Sequence, residues 1–517
     1  MKKIIITIIC MAAVITAIIL SGKFVSNTPE QQTTEVTSQA VSQEQTDEED
    51  IKALSSISLP YFKGKSFNPF KTKSPTNLSI STLLYDPLFI LNSDCSSTML
   101  LAKEFHNDGK KITVKLIDGI TFSNGSSLTA YDVVYSFRLA KKCDAYKGRL
   151  SNFSSAKAGT DTVTFTLKQP DVYAQQCLTF PIVQNGTGTA SLPVGSGRYI
   201  LRSISGQYVL VANANNTRGE TMSTKTIGLV PIIADNEEIY RVQTGELTYY
   251  YNDMDTGTFT KLTATTVPVN TNNLIYLGYK GSVSAFKNKQ VIKALRLAID
   301  KSSLADTVFD NFCTLTDTPF NPNWFAVKDL NLPDYEYNLI KAGNILDEAG
   351  YAYSANDKSY RYDSDGYFDV KIIVNKESET KVSCAKYIGK CLQNLGLRVT
   401  VKSLSFDDYE EALEDGDYDL YIGEVRISPN MDLSCFFKKG GSAAYGITSS
   451  TIRSAYSDFK TGSIDINTFI GVFEEEYPFI PICYRTGIAY YSNEISFEGD
   501  INEYEPFKNI SSWTQKY

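Results

Sequence analysis

The chain has 517 residues, 42% of them hydrophobic and 21% charged, with a formal net charge of −8 and a pI near 5.1. That length exceeds what one hydrophobic core carries, because cores stop growing at roughly 250–300 residues, so two or three folding units are expected. The acidic balance, without any Lys/Arg-rich stripe, excludes a sequence-independent binder of nucleic-acid phosphates.

Lys2 and Lys3 precede an uncharged apolar run from Ile4 to Leu20. As a helix this run spans roughly 25 Å, slightly less than a ~30 Å hydrocarbon core, which suits an export signal or a short anchor with its positive end inside. Leu20-Ser21-Gly22-Lys23 has lipoprotein-signal spacing, with lysine where the lipid-bearing cysteine belongs. Lipidation needs a thiol, so Lys23 is not modified. With no A-x-A site, residues 1–22 are expected to remain as an uncleaved membrane anchor, cleavage and secretion being the alternative. Residues 23–50 are rich in Gln, Thr, Ser and Glu and too poor in apolar side chains to offset chain entropy; they read as a disordered tether.

Beyond residue 50, short strands alternate with amphipathic helices, the texture of an α/β protein. KITVKLI (Lys111–Ile117) alternates with the period of a half-buried strand, and turns are expected at Asp118-Gly119 and Asn124-Gly125. Thr129 is placed to cap the helix that follows, with Asp132 completing a capping box. DTVTFTL (Asp161–Leu167) is a further strand. Asn288–Asp300 and Asn338–Gly350 show helical spacing, the second ending on a glycine. From Phe368 the order strand, helix to Gly396, strand, helix, strand YDLYIGEV describes a doubly wound unit. Ligands meet such units beyond the carboxyl ends of the strands, here at Gly423, Glu424, Val425 and Arg426.

The chain has nine cysteines, one of them inside the apolar run, and no C-x-x-C pair. Cys384 and Cys391 share a predicted helix about 10 Å apart along its axis, too far to bridge. Free buried thiols are expected, and with His106 as the one histidine no Cys/His metal site or cofactor is expected. No G-x-S-x-G, H-E-x-x-H or G-x-x-x-x-G-K-[ST] occurs, and His106, placed at a strand-end turn, has no partner signature. Catalysis is not expected. The 33 tyrosines and 27 phenylalanines against 2 tryptophans suit either core packing or the walls of a ligand cleft.

Seven segments in order resemble the family 5 extracellular solute-binding proteins, the oligopeptide/dipeptide-binding class of ABC importers. They include SFNPF around Asn68-Pro69, LLYDPLF (Leu83–Phe89), the long run from Leu100 through TFSNGSSLTAYDVV, and PVGSGRYIL (Pro193–Leu201). VIKALRLAIDKSSL, AGNILDEAGY and AKYIGKCLQNLGLRVTV complete the set. The resemblance implies a two-lobed, periplasmic-binding-protein-like α/β fold (type II, cluster C) with mixed doubly wound sheets and an extra subdomain in the first lobe. Its implied boundaries are first lobe 51–80, extra subdomain 81–189, first lobe again 190–270, second lobe 271–486, and a C-terminal return 487–517 to the first lobe. It also implies a monomer that closes its lobes over a small peptide. That monomer delivers the peptide to a membrane permease worked by cytoplasmic ATPase subunits.

In the peptide-binding class an acidic residue just after the Y-D-x-x-x-x-G-W strand pairs with the peptide amino group. Here Glu424 stands at the tryptophan position and Ile427-Ser428 in the aspartate region. Glu424 is therefore a candidate for a ligand ammonium and Arg426 for a carboxylate by a bidentate pair, unless the two neutralise each other. Asp432 is a second acidic candidate, and Asn68 of the S-x-N-P-like element a further ligand contact. The alternatives are another solute in the same fold, an oligosaccharide or a metal chelate, or a tethered peptide receptor not coupled to import.

Overall fold

A computed structural model of the protein describes residues 57–516 except 235–236, 255–261, 354–357, 365, 498 and 500. The expected anchor (1–22) and tether (23–50) lie outside the described residues. No helix among the described residues is long and apolar enough to cross a membrane.

Strand Lys111–Leu116 buries Ile112, Val114 and Leu116 and exposes Lys111 and Thr113, as its alternation predicts. It pairs antiparallel with Ala102–Asn107 and with Thr162–Leu167, and Phe153–Ala158 completes a four-stranded sheet. Helix Ala130–Ala140 lays Val133, Val134 and Phe137 in the core of this sheet. Its start is set by Asp132, whose Oδ2 accepts from the Thr129 amide at 2.7 Å and from its hydroxyl at 2.6 Å. His106 lies inside the edge strand and is exposed, with the turn itself beginning at Asp108. This body lies within residues 81–189, the stretch expected to form the extra subdomain.

A second sheet runs in the order Ser58–Phe62, Thr226–Ile232, Gln207–Ala212 and Tyr199–Ile204; its first pair is parallel and the others antiparallel. Helix Pro75–Leu84, capped by Ser74, packs beside it, and the chain at Gly195–Gly197 passes directly behind the helix end. A Cβ on Gly197 would lie 2.4 Å from the Leu83 carbonyl oxygen, and one on Gly195 2.2 Å from that of Leu84. Close backbone approach, not a left-handed conformation, requires glycine here.

The third sheet joins everything. Two long strands, Thr265–Tyr279 and Ile480–Tyr491, pair antiparallel along most of their length. At one end Tyr249–Asn252 adds to them; at the other come Leu420–Arg426, Asp369–Asn375 and Arg398–Leu404, the last three mutually parallel. Helices Glu379–Asn394 and Phe406–Asp415 connect these parallel strands, giving the expected doubly wound unit. Gly416 ends the second of them in the left-handed region.

The same two strands feed different cores at their two ends. Val269, Ala489 and Tyr491 pack with Leu59, Tyr199 and Trp513, while Leu277, Ile480 and Ile482 pack with Ile372, Ile388 and Leu420. Two cores served by one pair of strands make a two-lobed molecule. Between the ends the ladder slips: Asn270 faces Thr486, yet Asn273 faces Arg485, so Thr271 and Asn272 bulge out of register. The Thr271 hydroxyl donates to the Arg485 carbonyl, and Asn321 Nδ2 donates to the Thr271 carbonyl at 3.2 Å and to Asn272 Oδ1 at 3.1 Å.

The C-terminal segment bonds to residues on both sides of the expected 189/190 boundary. Asn502 Nδ2 donates to the Leu91 carbonyl at 2.8 Å, Arg198 donates to the Lys508 carbonyl at 3.0 Å, and buried Arg218 lies between Asp86 and Glu505. All eight described cysteines are free, with Cys384 and Cys391 on the one helix.

Candidate functional site

A cleft of about 1250 Å³ opens where three bodies meet. By the expected boundaries the first lobe supplies Phe62–Ser79, Tyr250–Asp253 and Glu503–Pro506, the subdomain Ser81–Leu91, Lys142–Arg149 and Thr179–Pro181, and the second lobe Arg426–Pro429. The second-lobe contribution is the chain leaving the carboxyl end of strand Leu420–Arg426, the place where doubly wound sheets present ligands. Tyrosines 85, 146, 250, 251 and 504 line the space, so part of the tyrosine surplus faces the cleft; others are core, and some, Tyr131, Tyr240 and Tyr337 among them, are exposed.

Of the four residues singled out from the sequence, Arg426 alone lines this cleft. Its guanidinium, half exposed, is bonded to the nearly buried carboxylate of Glu503 on the C-terminal return, a pairing that links the two lobes. Glu424 and Arg426 do not neutralise each other. Glu424 does not line the cleft: Oε2 accepts from Lys381 Nζ and Oε1 from Arg485 Nε, both at 2.9 Å. Burial alone would raise its carboxyl, but Arg485 and Lys381 outweigh burial and hold it below its ordinary 4.5.

Asp432 and Asn68 have internal partners as well. Asp432 Oδ1 accepts from the Ser434 amide at 3.0 Å, from the Ser434 hydroxyl and from Tyr456. Burial works against its charge, and Lys460, Ser434 and Tyr456 together still lower its pKa. Asn68 is fully buried; its amide donates to the carbonyls of Gly188 and Ala190 at 2.9 and 2.7 Å, and its oxygen accepts from the Phe70 amide at 2.9 Å. It clips two loops of the first lobe and subdomain together. Gly423, also expected near ligand, is pressed against the Tyr276 ring, where a Cβ would lie 2.3 Å from Cζ.

What the sequence did not single out is Arg149 and the residues that hold it. Arg149 packs against the rings of Tyr146 and Tyr504, with its central carbon 5.3 and 4.9 Å from their centroids, and donates from Nη1 to Thr179 Oγ1 at 2.9 Å. The abundance of tyrosine was the one available signal, and it carried no position. Lys65, Lys71, Lys73 and Lys142 add positive charge to the same cleft. Among the described residues no group of three or more His, Cys, Asp or Glu side chains is placed to hold a metal ion.

The family model for bacterial extracellular solute-binding proteins, family 5 (middle region), matches residues 98–443. The oligopeptide-binding protein AppA of Bacillus subtilis is 26% identical over 383 residues, 68% of this chain and 69% of that protein. Other curated relatives align over 52% to 76% of their own length. Among solved structures, NikA from Brucella suis in complex with Fe(III)-EDTA has a TM-score of 0.69 at 19% identity, covering 89% of this chain and 100% of that one. AppA from Bacillus subtilis in complex with a nonapeptide has a TM-score of 0.58 at 20% identity, covering 89% and 99%. At these identities the structural likenesses carry the fold.

Proposed function

Because the chain belongs to the bacterial extracellular solute-binding proteins of family 5, we propose that it is the extracytoplasmic substrate-binding subunit of an ABC importer, capturing peptides by lobe closure. The observation that carries this is the cleft, bounded by both lobes and the subdomain, in a molecule whose lobes share two long strands that slip register between them. Its volume, about 1250 Å³, exceeds the ~300–1,000 Å³ usual for a small-molecule pocket, which suits a ligand longer than one amino acid. Its relative AppA is named for oligopeptide binding and has been seen with a nonapeptide.

Lobe boundaries at 270/271 and 486/487 are supported by the bulge at Thr271-Asn272 opposite Arg485 and Thr486. A bulge has fewer ladder bonds to deform and so is the place for a hinge. A ligand touching both lobes binds the closed form better and shifts the population toward it. The permease then reads closure. The charged start and apolar run of residues 1–22 support tethering at the extracytoplasmic membrane face, and mass spectrometry of the mature N-terminus tests it: a chain beginning after Gly22 removes the anchor.

The functional test is a thermal-shift and denaturation screen of the full chain. A bound peptide at a hundredfold excess over its dissociation constant should add ~2.7 kcal/mol of stability. Stabilisation by oligosaccharides or nickel chelates, with none by peptides, would transfer the site to those ligands.

A further inference from the structure

Two guanidinium groups line the cleft, and they are differently occupied. Arg426 already holds a carboxylate, that of Glu503. Arg149 is fixed but not neutralised: Thr179 takes one of its donors, and Tyr146 and Tyr504 pack against it. Among the described residues no carboxylate forms an ion pair with it. A guanidinium carries five donors in one plane, and that fork fits the two oxygens of a carboxylate. Aromatic contact removes rotamer freedom from the arginine without spending a donor, so little order remains to be gained when an anion arrives.

Lys65, Lys71, Lys73 and Lys142 line the same cleft, and of its five acidic lining residues Asp144, Glu503 and Glu505 are paired with Lys147, Arg426 and Arg218.

Resting on the reading of the cleft as a peptide-capture site, we propose that Arg149, held by Thr179, Tyr146 and Tyr504, is the receptor for a ligand carboxylate. The captured solute is thus an acid read from the subdomain wall. A free peptide C-terminus and an acidic side chain share this chemistry.

The test uses the full chain with three pentapeptide pools: free acids, the same peptides as C-terminal amides, and amides carrying one glutamate. Wild type should bind the free acids roughly 10- to 100-fold more tightly than the amides. Recovery of affinity in the glutamate pool assigns the contact to a side chain; no recovery assigns it to the terminus. Arg149→Gln should bind acids and amides alike, with an unliganded melting temperature near that of wild type. Should that variant not fold, Arg149→Lys, which keeps the charge and loses the fork, should narrow the acid/amide ratio several-fold. An undiminished ratio in the folded variant overturns the proposal. Failure of the peptide reading looks different: no pool shifts wild type, but citrate or the nickel–histidine complex does, and Arg149→Gln loses that shift. If those probes also act equally on both proteins, or on neither, the carboxylate receptor is overturned too.

Discussion

Glu424 illustrates how a residue at a ligand-facing address can serve the scaffold instead. Its two oxygens are taken by Lys381 and Arg485, the latter nearly buried and also bonded to the Asp253 carbonyl. Removing one partner of a buried pair leaves the other charge without compensation, so Glu424→Ala should cost on the order of 3–5 kcal/mol in denaturant unfolding. Glu424→Gln isolates the charge. Because the folded carboxyl titrates below 4.5, its contribution is present above that value and lost as pH falls through the folded pKa. The stability difference between wild type and Glu424→Gln should therefore be flat toward neutral pH and shrink below about 4.5; a difference that grows on acidification would refute the assignment. Peptide affinity should be little changed by either substitution, in contrast to changes at Arg149.

At the scale of elements, the packing of helix Pro75–Leu84 on the Gly195–Gly197 segment is a contact between two backbones. An added methyl at Gly197 meets carbonyl and amide atoms of Leu83, Leu84 and Tyr85, none of which can swing aside as a flexible side chain would. Gly197→Ala should lose about 1–3 kcal/mol, the usual scale for overpacking, read as a lower denaturation midpoint. The helix it displaces carries cleft-lining residues, so ligand affinity should fall with it. Helix starts elsewhere are locally determined: Asn288, Asn338, Ser405 and Asp465 each accept an amide bond from the first turn.

For the whole molecule, the subdomain is tied to the second lobe as well as to the first. Buried Asp171 accepts from Asn430 Nδ2 at 2.7 Å and from Lys460, and Tyr173 packs edge-on against Trp324 with centroids 4.9 Å apart. These contacts cross from one body to another and are broken by any opening that separates the two. Lys460→Ala leaves the buried Asp171 carboxylate with the amides of Asn430 and Tyr173 but without its ion-pair partner, so the variant should melt earlier and scatter as a larger particle. Saturating wild type with a bound peptide should lower its radius of gyration in small-angle scattering; a curve that does not change on binding would remove lobe closure from the mechanism.

The sequence by itself determined the elements and their order. Period-two alternation marked Lys111–Leu116, the Thr129/Asp132 box marked a helix start, and the run of family-like segments led to the two-lobed fold. Those signals are legible because backbone hydrogen bonding and side-chain alternation act between residues adjacent in the chain. Tertiary structure alone decided the site. Which carboxylate meets which cation depends on distance in space: Arg426 is paired by Glu503 of the returning C-terminus, Glu424 by Lys381 and Arg485 of neighbouring elements, and Arg149 is framed by tyrosines from two bodies. Electrostatic and aromatic contacts have no period along a chain, so nothing local distinguishes an arginine left open for a ligand from one the protein has already satisfied.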